Sequence, residues 1–501
     1  MKNYFRYFTL CSLVLLFASC SEDLLDNSGV PGESQPTQFL TNAQTAAATD
    51  LNPLIPAAFV SGIYAQQIEV GSGGSGSQTD FGQKGFDIYT DFLSGDMALS
   101  VSTFGWYRAD LTEFQAPIDF TNGTNRIPWR YYYRLIRSAN TVIDGFGGND
   151  VVPELEASRY SLGQAKAMRA HSYFYLTQLF QKEYNPSEEI LPIYTSAVAS
   201  NNPKSTAEEV YDLIESDLND AISLLDGFNR ADKSQVDQNI AKAILAYALG
   251  AKGGRSAEVA QLTQDVIDSG AFTMLDKGGV TNGFNDYNNP SWMWGINLTE
   301  VIGLGLVSWW GQVDAFSYSY GWAGDYKVID ESLFSQIADD DARKGQFLDD
   351  PSSGRHLQPL FKFYATDQIG GVSTVVTADY VYMRIEEMYL LNAEANARAG
   401  NLAQAQNSLK ALLERRVDDF SYVDNLDGSS LLDEIYLQTR IELWGEGKSY
   451  LAMKRNKATT VRGDNHLSFQ GEPIPYNDER MQFEIPIDEI QNNPFVSGQN
   501  D

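Results

Sequence analysis

Two short stretches concentrate the side chains best suited to hold a ligand. FGWYRAD carries Trp106 and Tyr107. LVSWWGQVDAFSYSYGWAGDY carries Trp309, Trp310, Tyr318, Tyr320, Trp322 and Tyr326, with Phe316 among them. Indole and phenol rings offer noncovalent chemistry, with broad apolar faces that gain by dispersion and burial and a polar handle at one edge. Alternation from Phe316 through Tyr318, Tyr320 and Trp322 predicts that these rings share one side of an extended segment. Asn297, Gln312, Asp314 and Arg108 are the expected polar companions, fixing the hydrogen-bonding groups of whatever the rings hold. The competing reading is that several of the rings fill core beneath a long loop, since aromatic residues dominate cores as well.

Bond-breaking chemistry finds less support. His171, His356 and His466 are the only histidines, with neither a Glu-x-x-His pair nor a cysteine ligand beside them. GSGGSG at residues 71–76 fits G-x-G-x-x-G in letters, yet polar SQTDFGQK follows where a dinucleotide-binding helix should begin. ADDDARKG, residues 338–345, lacks the spaced ligands and the glycine of a calcium loop and reads as a surface acidic turn. A glycosidase would need two carboxylates about 5–10 Å apart. None of the 66 acidic residues sits in a recognisable motif of that kind. The expectation is a protein with no catalytic residue, metal or cofactor.

The N-terminus reads as an export signal. Lys2 and Arg6 lead into an apolar run from Phe8 to Phe17 that closes on Ala18-Ser19 before Cys20. That run is shorter than the ~20 apolar residues a membrane span needs. A cysteine at this place predicts a lipoprotein signal over residues 1–19, with Cys20 acylated as the new N-terminus. Cys11 leaves with the leader, so the mature chain would hold no disulfide. Losing Lys2 and Arg6 takes the formal charge from −30 to −32. Such a balance argues against nucleic acid and against anionic lipid head groups, leaving the acyl group as the membrane link. Residues 20–50, rich in Ser, Thr, Gln, Asn, Gly and Pro, read as a flexible tether, and residues 51–501 as one folded unit.

The elements that must position the rings are mostly helices. In LGQAKAMRAHSYFYLTQLF, Leu162, Ala165, Met168, Tyr173, Leu176 and Leu179 keep helical spacing while apolar residues spread onto adjoining faces, so this helix is expected to be buried on most sides. RYYYRLIRSANTVIDGF gives another helix before it. STAEEVYDLIESDLNDAISLL opens with a cap, Ser205 pairing with Glu208. NIAKAILAYALGAKGG ends at Gly253-Gly254, and AEVAQLTQDVIDSGAF stops at Gly270. Residues 384–416 form a helix pair turning at Gly400-Asn401, and its 33 residues come close to the tetratricopeptide period of about 34. LLDEIYLQTRIELWGEGKSYLAMKR adds one more helix. Two regions break the pattern, about 68–126 and 272–380, and read as long loop-rich insertions, where binding function usually resides. The predicted fold is mostly α, a scaffold of tetratricopeptide-like helix pairs whose insertions bear the ligand face.

These helices also carry a family pattern. AKAMRAHSYFYLTQLFQKEYNPSEEILPI, through Arg169, Ala170, Tyr173, Phe174, Leu176 and Pro192, resembles an Arg-Ala-x-x-Tyr-Phe-x-Leu helix of the SusD/RagB family. YVYMRIEEMYLLNAEANARAGN supplies Arg384, Glu387, Tyr389, Leu390, Ala393 and Glu394. RIELWGEGKSYLAMKR supplies Arg440, Glu442, Leu443, Glu446 and Gly447, and FEIPIDEIQNNP supplies Ile485, Pro486, Glu489, Asn493 and Pro494. Thr439, Ser449 and Ala452 depart from it. The resemblance implies an outer-membrane, cell-surface, lipid-anchored protein. It would capture oligosaccharide without altering it and deliver it, as a lid, to a SusC-like TonB-dependent transporter. Glu22 and Asp23 resemble the surface-export signal of such lipoproteins. In that setting the rings would stack on pyranose faces. A peptide-binding branch and a surface glycosidase are the alternatives. Arg169, Glu387 and Glu446 are expected to make ion pairs between helices rather than touch ligand.

Overall fold

The computed structural model describes residues 52, 54–365 and 368–500. The expected leader, Cys20 and the whole tether over residues 20–50 lie outside the described residues. The principal helices run as α1 (Leu54–Gln66), α2 (Gln83–Ser94), α3 (Arg126–Gly145), α4 (Glu156–Phe180), α5 (Ala207–Leu224) and α6 (Gln238–Lys252). They continue as α7 (Ser256–Asp268), α8 (Ile385–Arg398), α9 (Leu402–Leu413), α10 (Gly428–Glu442) and α11 (Ser449–Arg455). From α3 to α9 each of these helices packs against the next in chain order, and α8 also meets α10. Consecutive stacking of this kind lets one core extend along the chain. Short strands interrupt it as four antiparallel pairs: β1 (Met97–Ser102) with β5 (Asp325–Ile329), β2 (Glu189–Pro192) with β3 (Lys204–Thr206), β4 (Trp292–Ile296) with β6 (Tyr380–Arg384), and β7 (Thr459–Val461) with β8 (Pro473–Pro475).

Helix α4 is buried on all sides from Ser161 to Phe180, as its continuous apolar content requires. Its one buried guanidinium is neutralised in place. Arg169 grips Asp217 of α5 through two bonds of 2.7 Å each and donates to Asn140 of α3 (2.8 Å) and to Asn149 (2.7 Å). One side chain therefore ties three helices and a loop together. The pair α8–α9 turns at Gly400, whose φ of 80° suits glycine. Ala393, Ala405, Leu409, Leu413, Leu431 and Ile435 fill a second, smaller core between α8, α9 and α10.

A larger ionic cluster lies where the 272–380 insertion meets the scaffold. Arg384, at the end of β6, bonds Glu446 (2.7 Å), Glu442 (2.8 Å) and Glu386 (3.2 Å). Arg416 reaches Glu442 at 2.8 Å and Glu386 at 3.3 Å. From the insertion, Arg343 reaches Glu442 (3.1 Å) and Asp341 (2.6 Å), and Lys362 reaches Glu446 (2.9 Å). All eight side chains are at most 4% exposed, four cations against four carboxylates. Burial raises the Glu446 carboxyl, but Arg384 and Lys362 overcome this and bring it down to about 2. Of the expected helix-packing groups, Arg169 and Glu446 form ion pairs. Glu387 instead accepts from Tyr247 Oη (2.6 Å) and the Arg384 amide (3.0 Å).

Several local expectations need correction. The cap of α5 is one residue later than expected, with Thr206 and Glu209 exchanging bonds of 3.2 and 2.8 Å. The single helix expected over 431–455 is two, because Gly445 (φ 79°) and Gly447 (φ 73°) turn the chain between α10 and α11. Within the stretch expected as loops, α2 is a helix with every residue buried. Its polar stripe of Lys84, Asp87, Asp91 and Ser94 faces inward, and Lys84 and Asp87 pair at 2.7 Å inside the protein.

Removing one member of a buried charge cluster strands its partners, at a cost of about 3–5 kcal/mol. Glu446→Gln should lower the unfolding free energy by about that amount in urea at neutral pH. A carboxyl held at about 2 instead of its ordinary 4.5 adds stability that is complete above pH 4.5 and is lost as the pH falls through 2. Denaturation midpoints of the native protein should therefore drop over that window, more steeply than those of the variant; parallel profiles would contradict this.

Candidate ligand-binding face

The two aromatic stretches meet because β1 and β5 pair. Ser102 stands opposite Asp325, so the chain leaving β1 runs beside the chain entering β5. The Thr103 amide donates to Gly324 O (3.1 Å), and the amides of Thr103 and Phe104 donate to Asp325 Oδ1 at 2.6 and 2.9 Å. Gly324 has φ 121°, and a Cβ there would fall 2.5 Å from Thr103 Oγ1, so the crossing requires glycine.

Around this junction Tyr320 meets Phe104 and Trp106 edge-on, at ring-centroid distances of 5.3 and 5.8 Å. A third segment joins from the far end of the insertion. Gly371 N–H donates to Phe316 O (2.7 Å), and Tyr318 N–H donates to Ser373 O (2.9 Å). Trp322 lies against Gly370-Gly371, where a Cβ on Gly371 would come within 2.6 Å of Trp322 Cη2. Phe104, Tyr318 and Trp322 are left 52%, 50% and 41% exposed, with Trp106 half-buried beside them.

The structure thus brings together Trp106, Tyr318, Tyr320 and Trp322 from the expected set, with Tyr320 nearly enclosed and Tyr326 half-buried on β5. It places the others elsewhere. Trp309 (2% exposed) and Trp310 (1%) are core residues. Trp309 packs on Trp310 and Phe363 at centroid distances of 4.9 and 4.7 Å, and Trp310 Nε1 donates to Asp379 O at 3.3 Å. Tyr107 turns inward at φ 66° onto Tyr89 and Phe92. For these three rings the core reading holds. The extended alternation is also corrected: Ser319 caps a helical turn, Tyr320–Ala323, by accepting from the Trp322 amide at 2.9 Å. Phe104 was missed, although it stands two residues before Trp106 in the same stretch.

The polar companions divide in the same way. Asp314 is buried and accepts from the amides of Phe316 and Ser317, both at 3.0 Å, which shapes the turn below the rings. Gln312 is buried too, donating to Gln78 O (3.0 Å) and accepting from Lys327 Nζ (3.0 Å). Gln78 Oε1 in turn accepts from Tyr320 Oη at 3.1 Å, so a polar chain stiffens the floor of the face. Burial pulls the Lys327 ammonium down to about 7, with Asp325 opposing. Arg108 and Asn297 are exposed, Arg108 pairing with Glu113 at 3.2 Å. Both carboxylates at the junction, Asp314 and Asp325, hold backbone amides. Among the described residues no group of His, Cys, Asp and Glu could hold a metal ion. The arrangement offers stacking and hydrogen bonding.

Comparison with known proteins agrees with this architecture. Residues 348–500 match the model of the SusD family, and residues 85–248 match a model described as starch-binding and associating with outer membrane. A SusD-like protein of Bacteroides ovatus is 24% identical over 252 residues, which are 50% of this chain and 40% of that protein's length. The chain therefore spans less than half of this curated relative. A SusD-like carbohydrate binding protein from Bacteroides vulgatus superposes with a TM-score of 0.75 at 23% identity, covering 89% of this chain and 97% of its own. A SusD superfamily protein from Bacteroides thetaiotaomicron gives 0.74 at 21% identity, covering 90% and 100%. With two family models matched in separate parts of the sequence and the superfamily fold shared over most of its length, the chain belongs to the SusD family.

Proposed function

We propose that the chain is a cell-surface glycan-binding protein that captures oligosaccharide at the face built around Phe104, Trp106, Tyr318 and Trp322. The observation that carries this reading is the exposure of large rings at a junction where three separate segments are fixed by backbone hydrogen bonds. Flat apolar faces of pyranose rings gain by stacking on such side chains, and rings held rigid before binding lose little entropy when the ligand arrives. The relatives described as carbohydrate-binding and starch-binding support the same ligand class. The engagement of Asp314 and Asp325 with backbone amides favours binding without turnover.

In this reading Cys20 carries the lipid, residues 20–50 tether the folded part to the outer membrane, and the protein acts as a lid that hands ligand to a partner TonB-dependent transporter. Among the described residues no helix is long and apolar enough to cross a membrane, which fits attachment by lipid.

Gel electrophoresis through polysaccharide should retard the protein in the presence of its cognate glycan, with oligosaccharide affinity between micromolar and millimolar, about −8 to −4 kcal/mol. Trp322→Ala should weaken that affinity by roughly fivefold or more, the worth of about 1 kcal/mol of ring contact. Sugar release by the purified protein, or undiminished binding in the Phe104→Ala/Trp322→Ala double variant, would sink the proposal.

Stability gives a second check. Trp310→Ala should cost about 3–5 kcal/mol in urea denaturation, as expected for a core indole. Trp322→Ala should cost well under half as much. Radiolabelled fatty acid should enter the native chain in cells but not the Cys20→Ser variant.

A further inference from the structure

We propose a second binding site, for a small anionic ligand of the acidic-sugar class, in the groove where the C-terminal ends of α4, α6 and α8 converge on α11. The groove has a volume of about 570 Å³ and shares no residue with the aromatic face. That size suits a short oligosaccharide.

Its charge is the reverse of the chain's. Lys182, Lys252, Arg398, Lys454, Arg455 and Lys457 line it, against only Glu183 and Glu394. The whole sequence holds 36 basic and 66 acidic residues, so such a concentration is a local inversion. Part of the positive charge is already used. Glu394 pairs with Arg398 and Arg455, both at 3.1 Å, Glu183 pairs with Lys457 at 2.8 Å, and Glu215, behind the wall, pairs with Lys252 at 2.8 Å. Helix C-terminal carbonyls take another share. Lys454 donates to Gln178 O (2.7 Å) and to Gln181 O, and the carboxylates of Glu188 and Glu183 act on it electrostatically. Burial pulls its ammonium down to about 7 with Glu188 and Glu183 opposing, and an incoming anion would favour the charged form further.

The second feature is aromatic. Tyr184, Tyr211 and Tyr476 line the same groove, and Tyr184 packs edge-on against Tyr211 at 5.1 Å. Tyr184 and Tyr476 are only half-buried. Rings for a sugar face beside ammonium groups for its carboxylate or sulfate match the chemistry of an acidic saccharide. This site is independent of the aromatic face and of the proposal made for it.

The test is calorimetric titration of the full chain with trigalacturonate, a uronate trisaccharide, beside neutral maltotriose. One equivalent of trigalacturonate should bind, and more weakly when salt rises from about 20 to about 200 mM. Lys182→Glu/Lys457→Glu should reduce affinity at least roughly tenfold, whereas Trp322→Ala should leave it unchanged. Melting temperature checks the fold of the double variant, and Lys182→Gln/Lys457→Gln replaces it if charge reversal unfolds the chain. No saturation by about 10 mM, equal binding of maltotriose, indifference to both lysine variants, or loss in Trp322→Ala would each overturn the assignment.

Discussion

The cluster of buried charges around Arg384 and Glu442 holds the molecule's two parts in one arrangement. Its members come from β6, the first turn of α8, the turn after α9, the end of α10 and the turn before α11, and also from Asp341, Arg343 and Lys362 of the long insertion. None of these side chains has water to fall back on. A displacement of the insertion against the helices would leave carboxylates or guanidiniums buried without partners, and that penalty exceeds what any single apolar contact contributes. Arg440, half a turn from Glu442 in α10, extends the same tie to Asp96 at the start of β1, and Trp444 Nε1 donates to Asp96 O at 2.8 Å.

From this anchor the proposed ligand face follows. Asp96 lies directly before β1, and β1 leads to Phe104 and Trp106. β5, its partner, leads back to Tyr320 and Trp322. The floor beneath is polar and closed: Lys327, Gln312, Gln78 and Tyr320 form one hydrogen-bonded series. Rings that would wander on a free loop are thus fixed from behind, through strand pairing, glycine contacts and a buried polar chain, onto a scaffold whose geometry is set by ion pairs. Preorganisation of this sort favours weak, stacking-based recognition, because the rigid side has little entropy left to lose.

Much of the scaffold was legible in the sequence. Helices α3, α5, α7 and α9 show one apolar face and one polar face, and glycines or caps at or near their ends punctuate the pattern. Helix α2 carries Lys84, Asp87, Asp91 and Ser94 at helical spacing between Phe86, Tyr89, Phe92 and Leu93; what the residue types could not reveal is that this polar stripe is buried with the rest. The break at Gly445 and Gly447 is masked because apolar spacing continues across it, although the two glycines, both at positive φ, punctuate the chain there.

The residue types themselves determined that this chain would be largely helical and strongly acidic, and that it would carry two aromatic-rich segments among its connections. They also marked Arg384, Glu442 and Glu446 by their spacing in the family pattern. Only the tertiary structure decided which rings meet solvent. Trp309, Trp310 and Trp322 are the same side chain in one short stretch, and nothing local separates them. The choice is made by partners far away in sequence, Phe363 and Asp379 enclosing the first two, and only the small Gly370 and Gly371 lying against the exposed third, because burial is a property of what packs on a residue and not of the residue itself.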